Sequence, residues 1–93
     1  MIYNLKPTTQ FKKDLKICQK RGYDIELLKK VLNILKNGEP LPEKYHDHPL
    51  SGTFKNCREC HILPDWLLIY EYSNNDLIIY LTRTGTHSDL FKL

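Results

Sequence analysis

The chain has 93 residues, of which 41% are hydrophobic and 27% are charged, as in an ordinary soluble globular domain. This length predicts one domain over residues 1–93, and no apolar run approaches the roughly 18 residues that a membrane helix needs. The N-terminus lacks the pattern of a signal peptide, so we expect a cytoplasmic protein with no membrane partner. Its three cysteines, Cys18, Cys57 and Cys60, are then expected to be free thiols.

Positive charge is concentrated in the N-terminal part of the chain. Residues 1–36 contain nine Lys or Arg and three acidic residues, a balance of +6, whereas the remainder carries −3. A basic half indicates a polyanion or an acidic protein as partner. Solvated lysines on helix surfaces are the simpler explanation when charge is the only observation.

The first elements are a short strand and a helix. Residues 1–6 are compatible with a strand, which Pro7 ends. Thr8 or Thr9 can cap a helix by accepting a hydrogen bond from an unpaired amide. The helix has an apolar stripe at i, i+4 and i+7, and Gly22 suits its end; the stripe is formed by Phe11, Leu15 and Cys18.

A second helix is predicted from Asp24, its expected cap, to Asn37-Gly38, which ends it. Its apolar face is broader than that of the first helix and consists of Leu27, Leu28, Val31, Leu32, Ile34 and Leu35. The short link between the two helices predicts an antiparallel hairpin. This hairpin is expected to pack on the C-terminal strands, which offer the other apolar surface.

Residues 37–56 form a long connection in which Pro40, Pro42, Pro49 and Gly52 argue against regular structure. A connection of this length in a small domain is usually functional or disordered. This one contains the run Tyr45-His46-Asp47-His48-Pro49-Leu50, which has too many chemically specific groups for a linker.

Three strands are predicted after this connection, at residues 53–63, 66–72 and 77–83, with turns at Pro64-Asp65 and residues 73–76. Together they predict an antiparallel meander covered on one face by the hairpin. The expected fold class is α+β. The tail, residues 87–93, is compatible with one helical turn.

Five polar residues at strand or loop ends could cleave RNA without a metal: His48, His61, Asp65, Arg83 and His87. A histidine or aspartate can take the 2′-OH proton, a second histidine can protonate the leaving oxygen, and an arginine can stabilise the phosphorane. Trp66 and Phe91 could stack on unpaired bases. The alternative is structural: Asp65 shapes the turn, Trp66 fills the core and each histidine makes a surface hydrogen bond.

Residues 57–61 also match the Cys-x-x-Cys-His haem-attachment pattern. We reject haem because such proteins are exported and because the two thiols of a strand at this spacing point to opposite faces. Structural zinc is not expected either, because the paired ligand spacing is missing. The sequence therefore predicts no cofactor and no metal, with Cys60 in the core.

Three segments, residues 47–50, 58–70 and 83–91, resemble the YafQ branch of the RelE/ParE toxin superfamily. They are Asp-His-Pro-Leu, Arg-Glu-x-His-Ile-x-Pro-Asp-Trp-Leu-Leu-Ile-Tyr and Arg-Thr-Gly-Thr-His-x-x-Leu-Phe. The resemblance covers nearly the whole chain, because the basic hairpin and the Leu41-Pro42-x-x-Tyr45 approach also fit.

The resemblance implies a toxin of a bacterial type II toxin–antitoxin system that cuts mRNA in the A site of the translating ribosome. It also implies a helical hairpin packed on an antiparallel sheet. The implied partners are mRNA, the bacterial ribosome and a cognate acidic antitoxin. Whether the antitoxin complex also binds promoter DNA stays open.

Carried over by motif, the acid–base group is His48, His61, Asp65 and His87, without an assignment of base and acid. Arg83 is the implied phosphate stabiliser, and Phe91 contacts or orders the substrate. Trp66 is either a substrate contact or structural, and Arg58 either neutralises RNA phosphate or forms a structural ion pair; His46 is taken as a surface residue. The lysines that could contact ribosomal RNA are Lys12, Lys13, Lys16, Lys20, Lys29 and Lys30.

Two other functions remain open at this point. A ParE-like toxin of the same fold acts on DNA gyrase and is not a nuclease, and fold alone does not separate it from an endoribonuclease. The second alternative is a nucleic-acid- or protein-binding module whose histidines are structural.

Overall fold

The computed structural model describes residues 1–73 and 75–91 and confirms the α+β class. The elements are β1 (Asn4–Pro7), α1 (Thr9–Lys20), α2 (Ile25–Lys36), β2 (His48–Pro49), β3 (Arg58–Leu63), β4 (Trp66–Ser73), β5 (Ile78–Gly85) and α3 (His87–Phe91). The strands form one sheet in the order β1-β5-β4-β3-β2.

The predicted antiparallel meander is present as β3, β4 and β5. The sheet extends beyond it at both edges, because β1 pairs in parallel with β5 and β2 pairs antiparallel with β3. Both added strands contain a proline, and an edge strand tolerates proline because one of its sides needs no ladder donor. The β1 pairing brings Asn4 beside Ile78.

The predicted strand bounds were wrong at β1, which spans Asn4–Pro7 instead of residues 1–6, and at β3. The strand expected from Thr53 begins at Arg58, because Gly52–Phe54 forms a 3₁₀ turn and Asn56 adopts a positive φ of 73°. The connection over residues 37–56 is also more ordered than expected, with β2 and a further 3₁₀ turn at Glu43–Tyr45.

The turn predicted at residues 73–76 is present in the part that the structure describes. The Asp76 amide donates to the Ser73 carbonyl at 3.2 Å, and the Ser73 hydroxyl donates to the Asp76 carboxylate at 3.1 Å. Asn74 of this turn, and Lys92 and Leu93 of the predicted tail, lie outside the described residues.

Both helices begin at the predicted caps. The Phe11 amide donates to the Thr8 hydroxyl at 3.0 Å, and the Glu26 amide donates to Asp24 at 3.1 Å. The hairpin covers one face of the sheet, and the main core lies between them. Its buried residues include Phe11, Cys18, Leu28, Val31 and Leu35 from the helices and Cys60, Trp66, Leu68 and Tyr70 from the strands.

The other face of the sheet has a smaller apolar cluster of Cys57, Leu67, Ile69 and Leu90, with Leu50, Phe54 and Phe91 packed against it. We call this side the open face. His61 pairs with Leu67, while Glu59 and Arg83 flank Ile69, so strand alternation places all three on the open face.

The three cysteines are free thiols, as predicted, and all three are buried. Cys57 and Cys60 belong to the clusters on opposite faces of the sheet. Burial raises the pKa of the Cys60 thiol far above its usual value, which keeps it protonated. Among the described residues no helix has both the length and the apolar character that a membrane crossing requires.

Candidate active site

His87 occupies the first turn of α3 and is fixed by the loop before it. The Thr86 amide donates to Asp89 at 2.9 Å and the Asp89 amide donates to the Thr86 hydroxyl at 3.1 Å, which is a reciprocal cap. Arg21, at the end of α1, binds both carboxylate oxygens of Asp89 at 2.6 and 3.1 Å. A side chain at Gly85 would place its Cβ 2.9 Å from an Asp89 oxygen, so this close packing requires glycine.

Asp65, in the β3–β4 turn, orients the His87 ring. Its Oδ1 accepts from the His87 amide at 2.9 Å and lies 2.6 Å from the His87 Nδ1. The pKa of Asp65 is lowered, first by the backbone hydrogen bond from His87 and then by the ring. Because an ionised carboxylate only accepts, Nδ1 carries a proton, and Nε2 of the neutral ring is left able to accept one.

A second carboxylate, Glu59, lies between two further histidines. Its Oε1 is 3.2 Å from Nε2 of His61 and 3.4 Å from Nε2 of His48, and only 5% of its side chain is exposed. His48 Nδ1 lies 2.6 Å from the carbonyl of His46, which can only accept, so Nδ1 carries the proton. Glu59 was not among the site residues predicted from the sequence, although its alternation with His61 along one strand face was a usable indication.

His61 is at the centre of the histidine cluster. Its ring centroid lies 5.6 Å from that of His87, 6.1 Å from that of His48 and 5.6 Å from that of His46. The structure therefore brings together His48, His61, Asp65 and His87, the four candidate acid–base residues. His46 is exposed, as predicted from the sequence, and its ring also contacts that of His61.

Arg83 lies on the open face but is bound at the sheet edge. Its Nε and Nη2 donate to Asp14 of α1 at 2.7 and 3.1 Å. Glu59 on β3 and Arg83 on β5 both pair with Ile69 of β4, which lies between them. Their Cα atoms are therefore separated by two strand spacings, or roughly 10 Å. The arginine is therefore near the histidine cluster but belongs to a separate ion pair.

Two residues that were candidates for substrate contact, Trp66 and Arg58, instead contact other residues of the protein. Trp66 is 1% exposed, and its Nε1 donates to the Thr84 hydroxyl at 2.9 Å, so the expectation that it stacks on RNA bases is wrong. Arg58 takes the ion-pair alternative, with Nη2 3.2 Å from Asp47, which also accepts from the Tyr70 hydroxyl at 2.6 Å. Arg58 pairs with Tyr70 across the strands and so lies on the helix-covered face.

The remaining candidates are at the surface. Phe91 is half-buried and makes an edge-to-face contact with Phe54, with ring centroids 5.8 Å apart. All six candidate ribosome-binding lysines are exposed on the hairpin: Lys12, Lys13, Lys16, Lys20, Lys29 and Lys30. Lys29 also contacts Glu26 at 3.3 Å.

Three residues of the cluster could also hold a metal ion. One ligand atom each from His48, Glu59 and His61 lies within 4.8 Å of the others. Two imidazoles and a carboxylate suit zinc or a similar transition metal. This set was not predicted, because its three residues come from two strands, β2 and β3, and lack the paired spacing of a structural zinc site.

The chain matches the family model described as "Bacterial toxin of type II toxin-antitoxin system, YafQ" over residues 3–92. It is 46% identical over 83 residues to the mRNA interferase toxin YafQ of Escherichia coli K12, covering 88% of each chain. It is also similar to the toxin in the crystal structure of the E. coli DinJ–YafQ toxin–antitoxin complex, with a TM-score of 0.88, 40% identity and coverage of 98% and 99%. A metal-bound toxin from Helicobacter pylori gives a TM-score of 0.89, 45% identity and coverage of 98% and 100%. The resemblance seen in the three sequence segments is thus confirmed, and the chain belongs to the YafQ family of bacterial type II toxins.

Proposed function

We propose that this toxin is an mRNA interferase that cuts mRNA in the ribosomal A site by metal-free acid–base catalysis. The observation that carries the proposal is the pair of imidazoles of His61 and His87, 5.6 Å apart, each beside its own carboxylate. The E. coli relative carries the name mRNA interferase toxin, which supports the same activity here.

The two imidazoles suit the two proton transfers of RNA cleavage. One accepts the proton of the attacking 2′-OH and the other protonates the departing 5′-oxygen. Asp65 and Glu59 contact the rings of His87 and His61 and orient them, as a carboxylate does for a catalytic histidine in a triad. His48 shares Glu59 with His61 and extends the acid–base group toward β2.

Arg83 supplies positive charge on the same face. Asp14 binds its Nε and Nη2, so the guanidinium is already oriented before substrate arrives, and its Nη1 is outside that pair. A fixed guanidinium of this kind stabilises the charge that develops on the phosphorane. Phe91, one helical turn after His87, contacts the mRNA beside this arginine.

We propose that the products carry a 2′,3′-cyclic phosphate and a 5′-hydroxyl, because the nucleophile is the neighbouring 2′-OH. The test is expression of the toxin in bacteria, followed by mapping of new mRNA 5′-ends and of their phosphorylation state. New cuts inside translated codons with 5′-hydroxyl ends support the proposal. Growth arrest without cuts would point to a gyrase-directed toxin, and no arrest would point to a binding module.

The basic hairpin is proposed to bind ribosomal RNA, and in the inhibited state an acidic antitoxin. E. coli YafQ forms a complex with DinJ, which supports an antitoxin partner for this toxin. Translating ribosomes place its action in the cytoplasm. The exposed lysines on α1 and α2 lie on the side of the sheet opposite the histidines, so they can contact the ribosome while the open face contacts mRNA.

Charge reversal on α1 is expected to weaken ribosome binding. The double variant Lys12→Glu with Lys16→Glu replaces two exposed cations. Each cation that binds a phosphate releases counterions, so log affinity falls with log salt concentration by roughly 0.7–0.9 per contact. Cosedimentation with ribosomes over a salt series measures both affinity and slope. The matched control, Lys6→Glu with Lys36→Glu, makes the same charge change outside the six candidates. Equal losses in the two double variants would contradict a specific surface on α1.

A further inference from the structure

The open face continues past Arg83 into a cleft of about 540 Å³. One wall is the loop after β2, another is the end of α3, and Arg83 lies between them; the lining residues are Ser51, Thr53, Phe54, Arg83, Leu90 and Phe91. Phe91 follows His87 by four residues on α3, and side chains at this spacing lie on the same helix face. The cleft is therefore within one helical turn of the proposed chemistry.

We propose that this cleft receives one unpaired mRNA base next to the scissile phosphate, and that Ser51, Thr53 and Phe54 determine which base is accepted. The inference rests on the proposed function and adds a specificity site to it. Nothing in the acid–base group distinguishes one base from another, because it acts on the ribose and phosphate.

The lining suits a nucleobase rather than an apolar ligand. Phe54 and Phe91 are half-buried and meet edge to face at 88°, so their rings present apolar surface to the cleft. Aromatic rings bind bases of any type by stacking. Ser51 and Thr53 are exposed at the rim, and their hydroxyls can both donate to and accept from a base edge.

The size and charge of the cleft agree with a single nucleotide as occupant. The volume falls within the roughly 300–1,000 Å³ of pockets that enclose one small molecule. Arg83, between the two walls, attracts the phosphate attached to the occupant, and an anionic polymer running from the histidines would enter beside it. An unpaired base of single-stranded RNA meets each of these conditions.

The loop that carries Phe54 is held by backbone hydrogen bonds and by packing. The Leu50 amide donates to the Cys57 carbonyl and the Cys57 amide to the Phe54 carbonyl, both at 2.9 Å. Phe54 and Leu50 also pack against the apolar cluster of the open face. Binding a base therefore requires little ordering of the protein, and a preformed site of this kind discriminates well.

The test compares cut-site preference on ribosomes programmed with mRNAs that differ at one codon position. Phe54→Leu is expected to lower cleavage at the preferred base by about 5- to 100-fold, the range expected from losing one base stack. Ser51→Ala with Thr53→Val is expected to change the ratio between bases by about 5-fold or more, because the hydroxyl contacts to the base edge are lost. Tyr80→Leu is the matched control, because Tyr80 is an exposed aromatic of β5 outside the cleft lining.

The outcomes separate this inference from the proposed function. Altered preference in the cleft variants, with an unaltered Tyr80→Leu control, supports the inference. A wild-type enzyme that cleaves, with the same preference in all variants, overturns the inference and leaves the function in place. A wild-type protein that cleaves no mRNA overturns both. The Ser51/Thr53 variant changes only exposed side chains, so it remains informative if Phe54→Leu unfolds.

Discussion

Replacement of His87 by alanine is expected to reduce mRNA cleavage by about 10²- to 10⁴-fold, the usual contribution of a general acid or base. The ring is 39% exposed and belongs to neither apolar cluster, so its loss opens no cavity in the core. Asp65 would lose the ring that it orients but would keep the amide of residue 87 as a donor. The fold is therefore expected to survive the change.

The measurement is the single-turnover rate on ribosomes programmed with a susceptible codon, taken across a pH series. The wild type should give a bell-shaped profile from one acid and one base, and the variant should lose one limb. His46→Ala is the matched control. It removes another ring of the cluster but keeps the backbone carbonyl beside His48 Nδ1. A loss below 10-fold for His87→Ala, or an equal loss for His46→Ala, would contradict the assigned role.

Much of the fold could be predicted because its determinants are local. Thr8 and Asp24 cap their helices within three residues, and the meander connects consecutive strands. The edge strands could not be predicted in the same way. β1 pairs with a strand more than 70 residues away, and β2 is two residues long with a proline in it. Such pairings depend on the assembled sheet and leave little pattern in the sequence.

The histidines of the site and Asp65 could be found from residue type and position, but the two buried carboxylates, Glu59 and Asp14, could not. Glu59 and Asp14 are buried acids whose role depends on which cations and rings the fold brings to them. Asp14 is 69 residues from Arg83 in the chain. The prediction that Trp66 contacts substrate failed although its position in the sequence is next to the site. Trp66 follows the Pro64-Asp65 turn at the site, but strand alternation directs its ring into the core.

Replacement of Asp14 by alanine is expected to destabilise the protein by about 3 kcal/mol, near the lower end for breaking a buried ion pair. Its carboxylate accepts from Arg83 twice, from the Thr84 amide at 3.2 Å and from Gln10 at 3.0 Å. Removing it leaves the Thr84 amide buried without this acceptor, while the Arg83 side chain, 25% exposed, regains some water. This loss is a large part of the roughly 5–15 kcal/mol that holds a typical domain folded.

Urea denaturation measures this change, and the cleavage rate of the folded variant tests what Arg83 does once it is no longer held. Gln10→Ala is the control, because it removes one neutral donor to the same carboxylate and should cost about 1 kcal/mol or less. In a double-mutant cycle, Arg83→Ala should recover part of the stability lost in Asp14→Ala, because the unpaired guanidinium is gone. A coupling within experimental error of zero would show that the ion pair contributes nothing to stability.

The cleavage rate of folded Asp14→Ala tests the role of the ion pair in the reaction. A rate equal to that of the wild type would show that Arg83 does not need to be oriented for catalysis. A loss shared with Arg83→Ala would link the buried carboxylate to the reaction.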